Sequence, residues 1–135
     1  DPAVDTWLDD HCPTWTVAAL PMMSMIDLMA QGACTADPVT GLYDVRVKGW
    51  LGFDGPQTLK TERSGERVAL IAIDEEGAET EVATARVRTG CYGPRPAALP
   101  SIQGDAQPSP YETGALFHGP AFQVLESLAT ISRAL

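Results

Sequence analysis

Between residues 21 and 89 the spacing of apolar residues changes, and that change limits the chain to few architectures. Met22, Met25, Ile26, Met29 and Ala33 recur at helical spacing, while Met23, Leu28 and Ala30 make the other faces apolar too. Such a helix is expected to be buried nearly all round. It starts at Pro21, because Pro suits the first helical position. Gly32 weakens its end and Pro38 lies beyond it. After Pro38 the period becomes 2. Residues 42–53 predict a strand, with Val45 and Val47 on one face and Arg46 and Lys48 on the other. Residues 57–63, 67–74 and 80–89 predict three more strands. Ser64-Gly65 and Asp74-Glu75-Glu76-Gly77 are turn signals short enough to join them as an antiparallel meander. One buried helix followed by strands able to wrap it makes an α+β domain.

The flanks are less regular. Pro2 and Pro13 resist helix in residues 1–20, which read as extended or loop. Trp7 and Trp15 flank Asp9-Asp10-His11 there. Residues 90–110 hold five prolines and three glycines. That composition predicts no regular element, so residues 91–110 read as a linker. From Tyr111 onward, Phe122, Leu125, Leu128, Ala129 and Ile131 fit a helix, whereas Leu128, Thr130 and Ser132 fit a strand. Period leaves both open.

At 135 residues the chain can bury one core. Its net charge of -9 opposes nucleic-acid binding, which needs a basic stripe. The longest apolar run, around residues 21–30, is broken by Ser24 and Asp27 and is too short to span a bilayer. The acidic N-terminal segment does not read as a signal peptide. Cys12, Cys34 and Cys91 form no CxxC pair and fit reduced cytosolic thiols rather than a disulfide framework or a zinc site. Cys34 and Cys91 read as small buried apolar residues. Cytoplasmic localisation and no metal are the resulting expectations.

Two side chains stand out chemically. His11 can take a proton near neutral pH, although a loop histidine beside acids can equally be a solvated surface group. Asp27 lies in a helix apolar on most faces. If buried, its carboxyl would be raised towards a general acid; the alternative is a solvated stripe. His118, in Phe117-His118-Gly119-Pro120, reads as a packed or capping residue rather than a second acid/base. Arg86 and Arg88 point outward from a strand, for solubility or for a phosphopantetheine phosphate.

The stretch Pro21-Met-Met-Ser-Met-Ile-Asp27-Leu-Met-Ala-Gln31 resembles the central helix of bacterial β-hydroxyacyl-carrier-protein dehydratases, with Pro opening the helix, an acid six residues later and Gln four after the acid. Asp at this position resembles the dehydratase/isomerase branch, and His11 falls where that family keeps its catalytic histidine. Tyr111-Glu-Thr-Gly114-Ala-Leu-Phe117-His118-Gly119-Pro120-Ala-Phe122-Gln123 is similar to the opening of the second hot-dog in dehydratase domains of polyketide and polyunsaturated-fatty-acid synthases. Those domains usually show HxxxGxxxxP; here Trp15 replaces the Gly and Pro21 comes ten residues after His11 instead of nine.

The resemblance implies a hot-dog fold, the first half of a double hot-dog: residues 1–90 as the first hot-dog, 91–110 as the linker and 111–135 as the truncated start of the second. It implies loss of water from a β-hydroxyacyl thioester on acyl carrier protein within a polyketide or fatty-acid synthase. His11 and Asp27 are the implied catalytic residues, and Met22, Met23 and Met25 the implied substrate-binding ones, with Val17 also near an acyl tunnel. No cofactor is implied beyond the carrier's phosphopantetheine. The implied partners are the carrier and either a second hot-dog half or a second copy, whose Asp27 could face His11. The rival expectations are a hot-dog thioesterase using Asp27 to activate water, and a non-catalytic pseudo-dehydratase half.

Overall fold

The computed structural model describes residues 1–13, 15–98 and 104–130. Helix α1 runs Met22–Gly32, with Pro21 as its N-cap residue. Strands β1 (Val39–Val47), β2 (Thr58–Ser64), β3 (Arg67–Ile73) and β4 (Glu79–Thr89) form one antiparallel sheet in the order β1-β4-β3-β2.

The expected meander holds for β2, β3 and β4, but β1 pairs with β4 at the far edge instead of with β2. The connection between β1 and β2 explains this. Its Leu51 and Phe53 are buried, and the chain pairs them with residues 18–20 through Leu20 N–H to Leu51 O (2.9 Å) and Phe53 N–H to Ala18 O (2.7 Å). A segment committed to that partner cannot turn straight back along β1. It also ends β1 at Val47, so the single strand expected over 42–53 is divided.

Three register shifts interrupt the sheet, and two of them re-aim side chains. Tyr43 opposes Arg86 and Arg46 opposes Thr84, leaving an extra residue on β1 where Asp44 has φ 51°. Asp tolerates that left-handed conformation better than most residues. Val45 packs on the core, whereas Val47 is 40% exposed. On β4 a second register shift lies opposite Leu70 and Ile71, and the consecutive residues Val82 and Ala83 are both core residues.

The core lies between α1 and the sheet. Met25 and Met29 on the helix and Ala33 just after it pack with Val68, Leu70 and Ala72 on β3 and with Ala83, Ala85 and Val87 on β4. Met29 is fully buried. Burying one such side chain stabilises the fold by about 1.5–3 kcal/mol. The small residues of β4 leave room for the methionines. At its end α1 touches β2 so closely that a Cβ on Gly32 would overlap the Thr61 side chain.

Several expectations need correction. The helix is not buried all round: Met22 and Met23 are 55% and 66% exposed, and Asp27 and Gln31 are exposed. The sheet covers one side of α1 and no other described element covers the opposite side. Residues 1–20 contain a 3-10 helix, Thr6–His11, which fits between Pro2 and Pro13 and buries Leu8. The Pro-rich segment is not wholly irregular, since β5 (Asp105–Gln107) pairs with β6 (Leu128–Thr130). Of the helix and strand left open after Tyr111, the strand holds at its end: the segment has turns, a short 3-10 helix, Pro120–Phe122, and then β6. Ile131, Ser132 and the rest of 131–135 lie outside the described residues, as do 99–103 of the expected linker. Cys34 and Cys91 are exposed rather than buried.

Candidate active site

His11 closes the first 3-10 helix, and its loop returns to it eight residues later. Ala19 N–H donates to His11 O (3.3 Å), and His11 Nδ1 lies 3.0 Å from Ala19 O. A carbonyl oxygen can only accept, so Nδ1 carries the proton in that bond. In the neutral ring this leaves Nε2 as the nitrogen with a free lone pair. The returning loop, tied at its base, carries Trp15 at 79% exposure. His11 and the first residues of α1 meet in one groove although ten residues separate His11 from Pro21.

His11 lines a groove of about 580 Å³ with Pro21, Met22, Met23, Tyr111, Leu116, His118, Phe122, Val124 and Leu125. The groove lies at the start of α1. The first amides of a helix have no intrahelical acceptor, and the Pro21 side chain caps none of them. Those of Met22 and Met23 sit at the positive end of the helix dipole, suited to an oxygen that gains negative charge.

The opposite wall comes from a part of the chain about a hundred residues away, held by Asp10. Gly119 N–H donates to Asp10 O (2.8 Å), and Ala121 N–H donates to Asp10 Oδ2 (2.9 Å). A Cβ on Gly119 would overlap the Asp10 carboxylate. This clamp brings Phe117, His118 and Phe122 to His11, with ring centroids 5.4, 5.4 and 5.5 Å from the imidazole. Trp7 packs on Phe122 at 5.9 Å.

The expected site residues divide. His11, Met22 and Met23 meet in the groove. Met25 does not line it; being three residues into the helix on the sheet side, it is a core residue at 2% exposure. Val17, 43% exposed, is also absent from the lining. Asp27 is not buried and does not line the groove. It is exposed one turn further along, where Gln31 Nε2 donates to its Oδ2 (2.6 Å). Within one chain, then, the imidazole and this carboxylate are not brought together. Among the described residues no group of three or more His, Cys, Asp or Glu side chains is arranged to hold a metal ion.

Of the two readings of His118, packed or capping, the structure shows the packed one: it stacks on Phe117 (4.6 Å, 27°) and lines the groove. Periodicity does not predict Tyr111, Leu116, Phe122, Val124 or Leu125 as site residues. Their one sequence signal is the Phe-His-Gly-Pro stretch, whose Gly is required by Asp10. Arg86 is exposed and paired with Glu66.

No protein-family model matches the sequence, and no curated protein matches it. Two solved structures do. One is the GphF dehydratase in a variant made for improved crystallization, with TM-score 0.73 and 21% identity over 95% of this chain and 51% of that one. The other is an isomerase-inactive variant of GphF DH1, with TM-score 0.73 and 20% identity over 95% of this chain and 50% of that one. The chain has the hot-dog fold. It spans about half the length of the GphF chains, as a first hot-dog of a double one would. In this hot-dog, α1 is the central helix and the four-stranded sheet is the wrap, with the groove at the helix's N-terminal end.

Proposed function

We propose that this hot-dog is the first half of a dehydratase that removes water from a β-hydroxyacyl thioester carried on acyl carrier protein within a cytoplasmic polyketide or fatty-acid synthase. The observation that carries the reading is His11: its Nδ1 is committed to Ala19 O, and its ring lines an apolar groove at the start of α1. Residues 1–90 then form the first hot-dog unit, 91–110 the linker and 111–135 the opening of the second.

In this mechanism His11 Nε2 takes the α-proton. The electrons of the Cα–H bond form the Cα–Cβ double bond, helped by amides that stabilise negative charge on the thioester oxygen. The Cβ–O bond breaks, and the hydroxyl leaves as water with a proton from a carboxylic acid. Asp27 lies away from its own chain's groove, so the acid comes from a helix of the second half or from Asp27 of a second copy. The substrate's pantetheine arm is the only non-protein group required. Tethering the carrier raises its effective concentration, so an acidic surface is no obstacle.

The test is incubation of the full chain, together with its second half, with a β-hydroxyacyl-pantetheine, following loss of water by mass spectrometry. His11→Ala should lower the rate by about 10²–10⁴-fold. An unchanged rate would overturn the reading. Hydrolysis of the thioester that survives His11→Ala would point to a thioesterase, and no turnover in the folded parent to a non-catalytic half.

A further inference from the structure

The groove has three polar side chains among its lining residues, His11, Tyr111 and His118. Two are already engaged. His11 has given Nδ1 to Ala19. The Tyr111 hydroxyl donates to Phe122 O (3.4 Å) and accepts from Leu125 N–H (3.2 Å), so it holds the wall together. The His118 ring nitrogens have no hydrogen-bond partner among the described residues, although the ring is half-buried beside Met22, Met23 and Phe122. A polar ring in such a place is normally satisfied by protein, water or ligand.

We infer that His118 contacts the substrate of this site, its imidazole hydrogen-bonding the β-hydroxyl while His11 addresses the α-carbon. The inference rests on the dehydratase reading. The α-carbon and the β-oxygen are two bonds apart. Groups that address both of them together must line one groove side by side. The two imidazole centroids are 5.4 Å apart, with planes inclined at 34°.

The ring is also fixed. Gly119 and Ala121 are clamped on Asp10, Gln123 Nε2 donates to His118 O (3.1 Å), and Phe117 stacks on the imidazole. A capping histidine would spend a ring nitrogen on a carbonyl, as His11 does, and His118 spends neither among the described residues. His118 therefore orients the substrate.

The test compares binding of a β-hydroxyacyl-pantetheine with that of the acyl-pantetheine lacking the hydroxyl, to the full chain by calorimetry. The wild type should prefer the hydroxylated ester. His118→Phe keeps the ring against Phe117 and should reduce that preference by about tenfold, weakening the hydroxylated ester more than the other. His118→Gln, which restores hydrogen bonding, should recover part of it; this variant also serves if the Phe variant misfolds. Retained preference in both variants, or equal loss of affinity for both esters, would overturn the inference. If the wild type dehydrates while preference survives in the variants, the dehydratase reading stands and the inference falls. If the wild type binds neither ester, both fall.

Discussion

Gly119 is needed for space, not for backbone freedom. Its φ of -75° is open to any residue, yet a Cβ there would run into the Asp10 carboxylate. Asp10 in turn accepts two backbone N–H bonds from the Phe-His-Gly-Pro wall. Gly119→Ala is therefore expected to destabilise the fold by about 1–3 kcal/mol through overpacking. It should also swing His118 and Phe122 away from His11, cutting turnover more than stability. Thermal melts and dehydration assays check both, and Asp10→Ala supplies the control. If the overlap is the cause, the double variant should lose less than the sum of the single ones, because the two residues touch. Additive losses would place the cause elsewhere.

At the scale of elements, the join between α1 and β2 sets two effects against each other. Gly32→Ala gains about 1 kcal/mol of helix propensity. The new Cβ would, however, overlap the Thr61 side chain, whose hydroxyl donates to Leu28 O (3.3 Å). Overpacking of about 1–3 kcal/mol should win, so the urea midpoint is expected to fall. A rise would mean that β2 yields at that point. The start of the helix and both ends of β2, β3 and β4 were legible in the sequence to within about a residue, from period 3.6, from period 2 in β2 and β4, and from a continuous apolar run in β3. Strand β1 was less so: the residue inserted at Asp44 breaks the alternation, and the pull of residues 18–20 on Leu51 and Phe53 is not local. The exposure of Asp27 was illegible because a helix apolar on most faces does not say which face the sheet will cover. Half of the site was hidden for a different reason. Its second wall is held on Asp10 by two backbone amides, one to the main-chain carbonyl and one to the carboxylate, and backbone bonding leaves almost no mark on composition.

On the whole molecule, charge is divided between two ends and a sheet. Residues 1–45 carry seven acids and no Lys or Arg, whereas residues 46–95 carry eight of each sign. The exposed sheet face pairs much of this charge. Glu66 is held below the ordinary glutamate range by hydrogen bonds from Arg86 and then Tyr43. Glu81 is held down by hydrogen bonds from Lys48 and then Arg67. A carboxylate lowered by folding contributes stability that is fully present above its unfolded value and is lost as pH falls through its folded value. These pairs are exposed and salt-screened, so the effect of each is small. Acidification also relieves the repulsion of a chain with net charge -9, which acts in the opposite direction. The two effects separate by comparison. Glu81→Gln should lower the melting temperature near neutral pH and flatten its fall through the acid range, and high salt should shrink the difference from wild type. Glu76→Gln removes one negative charge from the Asp74 turn, where no ion pair forms among the described residues, and should not flatten that fall. Melting curves between neutral and strongly acidic pH that move in parallel for wild type and Glu81→Gln would show that the strand ion pairs play no part in acid stability.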